Sequence, residues 1–83
     1  MATLIERFRS FDDATYSIRV GGVIDHTWSE RFGGMRVSVI HSGSTSATEL
    51  FGHLKDQAQL MGVLETLYEL GMPILSVECH LAP

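Results

Sequence analysis

The first clean periodicity along the chain is the alternation in TYSIRVG. Tyr16, Ile18 and Val20 fall on one side and Ser17 and Arg19 on the other, the two-residue period of a strand with one covered face. A strand is therefore expected over Thr15–Gly21, ended by Gly21 and Gly22. In the next stretch, VIDHTWSERFGG, Asp25 or Thr27 is placed to cap a short helix over Trp28–Phe32, and Gly33 and Gly34 to stop it. Trp28 and Phe32, four apart, share a face of that helix. MRVSVIH then predicts a second strand, with Met35, Val37 and Val39 inward and Arg36, Ser38 and Ile40 outward. Ser42, Gly43 and Ser44 read as a hairpin turn. A third strand is expected over roughly Thr45–Gly52. Its phase is open: Thr48, Leu50, Gly52 and Leu54 make one face, and Ala47, Glu49 and Phe51 the other.

The strongest helical signal comes next. Asp56 is an N-cap, Gln59 stands at the reciprocal capping-box position, and a helix from Gln57 to Leu70 ends at Gly71 with Pro73 beyond. Its apolar stripe, which includes Leu60, Met61, Val63, Leu64, Leu67, Tyr68 and Leu70, is broader than one sheet contact requires. Gly62 in its middle costs about 1 kcal/mol against alanine unless a close neighbour makes use of it. A last strand is expected over Ile74–Cys79, with Leu75, Val77 and Cys79 inward and Ile74, Ser76 and Glu78 outward. Residues 1–14 read as an extension with a short helix capped by Thr3 and Glu6, and residues 15–83 as one domain.

The order strand, short helix, strand, hairpin, strand, long helix, strand predicts an α+β fold. It is the β-α-β-β-α-β order of a ferredoxin-like sandwich, with a very short first helix and a four-stranded antiparallel sheet. The helices then cover one face. The other face carries Ser17, Arg19, Arg36, Ser38, Ile40, Glu49, Phe51, Ile74, Ser76 and Glu78, too apolar to be purely solvated and too charged to be a core. Sheet-to-sheet dimerisation fits that mixture best.

Two stretches, YSIRVGGVIDHTWSERFGGM and TELFGHLKDQAQLMGVLETLYELGMPILSVE, resemble a family of short bacterial and archaeal proteins of uncharacterised function. The resemblance runs from Tyr16 to Glu78. It is carried by Gly52, Asp56, Gln57, Ala58, Leu60, Gly62 and Leu64, spaced G-x-x-x-D-Q-A-x-L-x-G-x-L, and by Leu70, Gly71, Leu75, Ser76 and Val77. It implies a shared fold and brings no activity, cofactor or catalytic residue with it. Met61 stands where the pattern has histidine, which argues against a required catalytic group at that position.

Composition narrows the function classes. At 83 residues the chain has one domain's worth of core, and a domain this small hides a limited share of its surface. Cys79 is the only cysteine, so neither an intrachain disulfide nor a thiolate zinc cluster can supplement it. A homodimer or higher homo-oligomer is the expected remedy. Ten acidic against six basic residues give a net charge of -4, and Arg7, Arg9, Arg19, Arg31, Arg36 and Lys55 form no run. Nucleic acid and anionic membranes are therefore not expected partners. The N-terminal text has no secretory signature, no apolar run is long enough to span a bilayer, and a lone cysteine fits a reducing compartment, so a cytoplasmic protein is expected.

Candidate chemistry is sparse. His26, His41, His53 and His80 lie in four separate segments with no helical ligand pair, so no metal site and no cofactor are expected. His41, at a strand end near the turn, is the most ligand-like. Cys79 on an inward phase reads as a small hydrophobe. Glu49 and Glu78 approach one another if their strands are neighbours, and Arg19 and Arg36 put opposite charge on the same face. Cross-strand ion pairing is the simpler account of these four, and recognition of a small anion the alternative. Trp28, with Phe32 and Tyr16, lines either a cleft or the core. No catalytic residue is assigned. The expected function is a non-catalytic homo-oligomeric accessory or regulatory module with room for a small ligand. Two alternatives stand beside it. One is a cofactor-independent enzyme with a cavity lined by Trp28, Met35, Met61 or Tyr68 and reached by His41 or Glu49; the other is a subunit that binds another protein.

Overall fold

The computed structural model describes residues 14–80, so the expected N-terminal helix and the residues after His80 lie outside it. Four strands, β1 (Ala14–Gly21), β2 (Arg36–Ser42), β3 (Thr45–Leu54) and β4 (Ile74–His80), form one sheet in the order β2-β3-β1-β4. All neighbouring pairs are antiparallel. It follows that β1 and β2 run parallel with β3 between them, and β3 and β4 run parallel with β1 between them. A 3-10 helix (His26–Phe32) joins β1 to β2, and α1 (Gln57–Glu69) joins β3 to β4. No described helix is long and apolar enough to cross a membrane.

The alternation of β1 does what its sequence demands: Tyr16, Ile18 and Val20 are buried and Arg19 is exposed. Pairing with β1 settles the open phase of β3. Ile18 stands opposite Leu50 and Val20 opposite Thr48, so Thr48, Leu50 and Leu54 go inside while Glu49 and Phe51 face out. Gly52 lies opposite Tyr16 with the Met35 backbone on its other side; a Cβ there would sit 3.1 Å from the Met35 Cα. Phe32 and Met35, from either end of the turn after the 3-10 helix, and Val63 and Leu67 of α1 complete the core.

The connection after β1 is a 3-10 helix two residues longer at its start than expected. The Asp25 carboxylate accepts from the Thr27 amide at 2.9 Å, and Gly33 closes the helix in the left-handed region. Trp28 and Phe32 share a face as predicted, their rings stacked with centroids 6.5 Å apart. Phe32 is buried and Trp28 packs on the core's rim, so the aromatic group is core rather than cleft. In α1, Asp56 accepts from the Gln59 amide at 2.8 Å as expected of an N-cap. The reciprocal bond is displaced by one residue: the Gln59 side chain accepts from the Lys55 amide, not from Asp56. Gly71, in the left-handed region, and Met72 bond back to Tyr68 and Leu67, the paired closure that leaves few free carbonyls at a helix end.

One inward assignment changes, and three inward-facing residues are exposed. Val39 faces the core side opposite Thr48 but is exposed, because β2 is an edge strand whose far end no described element overlies. In β4 the register shifts between Arg19 and Val20: Ser76 pairs with Arg19 but Ile74 pairs with Val20. Leu75 is the extra residue of this bulge, so Ile74 takes the inward phase and leaves the open face. Val77 and Cys79 do face inward, opposite Ile18 and Tyr16, yet both are exposed at the other sheet edge.

Candidate functional site

The open face of the sheet is a grid set by register. Across it, from β2 to β4, one row reads Arg36, Phe51, Ser17, Glu78, and the next reads Ser38, Glu49, Arg19, Ser76. Beyond the first row lie His53, Thr15 and His80. Four of the predicted site residues, Arg19, Arg36, Glu49 and Glu78, share this face. The two carboxylates do not meet, because β1 separates their strands. Arg19 stands between them and donates through Nε to Glu49 Oε2 at 3.0 Å. Both partners of this pair are partly exposed, so it is a cross-strand contact of modest strength, not a buried acid-base pair. The two arginines and two glutamates leave the face without a basic patch. Among the described residues Arg36 makes no side-chain ion pair or hydrogen bond.

The other two predicted site residues lie elsewhere. His41 is on the core side of β2 but past the core, at the hairpin, where its Nδ1 is 3.0 Å from Ser46 Oγ and its ring is exposed. Trp28 stands on the 3-10 helix, with the Arg31 guanidinium 5.1 Å from its ring centroid. The cavity required by an enzyme reading is not assembled. Met35 fills the core, Met61 and Tyr68 are exposed on α1, and Glu49 is on the far side of the sheet. Asp56 and Gln59 are occupied as helix caps.

Sequence reasoning missed one polar contact on the open face. Ser17 Oγ lies 2.9 Å from His80 Nε2, and the His80 ring is tilted against Phe51 with centroids 6.0 Å apart. Only the β1–β4 register brings these together, and no local pattern signals it. The pair does not make a nucleophilic centre: Ser17 is on a central strand whose amides are taken up by β3 and β4, so no donors converge on a developing oxyanion. No group of three or more metal-binding side chains occurs among the described residues.

On the covered face, burial raises the Tyr16 phenol above its ordinary 10.0, and the Cys79 thiol opposite it acts in the same direction. At the cap of the 3-10 helix, the Thr27 amide holds the Asp25 carboxyl below its ordinary 3.8.

Comparison with known proteins adds one match. Residues 15–78 fit a family model described as a Domain of unknown function (DUF8691). No curated protein and no solved structure matches the chain.

Proposed function

The chain belongs to the family of this domain of unknown function, DUF8691, a membership that assigns no chemistry, and we propose that it is a non-catalytic, homo-oligomeric accessory or regulatory module. One observation carries the reading: the described residues expose nearly as many large hydrophobic side chains, ten, as the eleven apolar residues they bury. A single domain in an 83-residue chain has little surplus core, and apolar surface on that scale is covered by a partner in a working protein. The split strand order supports a ferredoxin-like sandwich as the finer description of the fold, with α1 as its main covering helix. The balanced charge of the open face speaks against nucleic acid. The single cysteine, exposed on β4, suits a reducing cytoplasm. Any small ligand would sit where two subunits meet, since the residues proposed to line an internal cavity are dispersed.

Native mass spectrometry at two protein concentrations tests the reading. It expects a dimer or higher assembly in exact multiples of the 9.2 kDa chain. A monomer at both concentrations that becomes soluble and stable only with a different protein would replace it with the hetero-interaction reading. Added mass on each subunit would name a ligand.

A further inference from the structure

Five of the ten exposed large hydrophobic residues fall on two elements, while Val23, Val39, Ile40, Phe51 and Leu70 lie outside them. Ile74, Leu75 and Val77 lie on β4, and Met61 and Tyr68 on α1, with Leu75 61%, Met61 57% and Tyr68 81% exposed. The Gln59 side chain lies against Gly33, next to the 3-10 helix, and so marks the flank of α1 that looks towards β2. At about 100° per residue, Leu64, Met61 and Tyr68 stand roughly half a turn round from Gln59, on the flank towards β4. The open face, by contrast, shows only Phe51 and Ile40, both less exposed.

β4 is also an edge with half its backbone groups pointing away from β1, and it is lightly defended, with Glu78 as its one acidic residue. It has no lysine, no arginine and no internal proline, and its bulge lies at one end. Its chemistry suits an antiparallel copy of itself. With a two-fold axis at Val77, the whole of β4 overlaps its mate, Leu75 faces Cys79, and Glu78 faces the Ser76 hydroxyl. Sliding the mate by two residues shortens the overlap. In one direction it also sets Glu78 against Glu78, which costs stability.

We propose that the partner of this edge is a second copy of the chain, paired β4 to β4 about Val77 so that two sheets become one of eight strands. The proposal rests on the homo-oligomer reading and names its interface. The pairing is isologous and closed, as a dimer requires. It leaves the open face, with Arg19, Glu49 and Arg36, exposed on one side of the joined sheet. On the other side the two α1 flanks bound an apolar trough floored by Val77 and Ile74.

Two variants of the full chain, each made on Cys79→Ser, test this. Val77→Cys places a thiol at the axis, and mild oxidation gives a covalent dimer of twice 9.2 kDa; Ile40→Cys, on the open face, stays uncrosslinked. In parallel, Val77→Lys retains its far-UV spectrum and raises the dimer dissociation constant at least about tenfold, while Ile40→Lys does not. A wild-type chain that is monomeric at every concentration overturns the homo-oligomer reading and this one together. A dimer that survives Val77→Lys, or that crosslinks through Ile40→Cys and not Val77→Cys, leaves the homo-oligomer standing and overturns the β4 interface alone.

Discussion

Thr48 is fully buried, and its hydroxyl holds the loop after β1 against β3. It accepts from the Ile24 amide at 3.0 Å and donates to the Gly22 carbonyl at 2.8 Å. Thr48→Val keeps the shape, strands the buried Ile24 amide and takes the donor from the part-buried Gly22 carbonyl. A loss of about 1–3 kcal/mol is expected in urea unfolding, with Thr48→Ser much less affected. From the sequence Thr48 was legible only as a member of one face of β3; its partners lie 24 and 26 residues away and depend on where the loop folds back. Asp25 was legible, because a carboxylate just before a short helix needs no tertiary information. Its folded-state pKa is depressed, so the cap contributes above the ordinary 3.8 and is lost as pH falls through the lower folded value. Trp28 fluorescence followed through that acid range should report the loosening of the 3-10 helix. In Asp25→Asn this acid transition should disappear, since the asparagine caps without titrating.

At the level of elements, what could be read from the text was whatever local physics decides. The β1 alternation, the Asp56 cap and the Gly71 stop of α1 all appear where the sequence puts them. What could not be read depends on neighbours. The bulge that turns Ile74 inward arises from the pairing of β4 with β1, and the separation of Glu49 from Glu78 arises from β1 lying between their strands. The candidate site was legible in the same measure: the register brings four of its six residues to one face, while His41 and Trp28 belong to other surroundings. Gly62 is informative at this scale. A Cβ built there meets nothing within 4 Å, so no close packing makes use of the missing side chain. Gly62→Ala should therefore raise stability by about 1 kcal/mol in denaturant melts. A loss instead would mean that this exposed turn of α1 is covered by another chain.

At the level of the whole molecule, the order β2-β3-β1-β4 puts the first strand in the middle, where both its neighbours come from later in the chain. Only the β2–β3 hairpin, closed between Ser42 and Thr45, pairs locally. Thr15 must wait for His80. Such distant pairing makes folding slow for a domain of this size, with the hairpin forming first and β1 inserted late as the piece that completes the sheet. The same arrangement sets the order in which backbone amides trade their protons with heavy water. β1, hydrogen-bonded on both sides, can release its amides only when the sheet comes apart, so they should exchange last and at the rate of global opening. The amides of β4 that point away from β1 have no such protection from the described strands, and should be among the first strand amides to exchange in dilute protein. If β4 pairs with its mate, their exchange should slow as concentration rises while the rates along β1 hold to the stability of the whole.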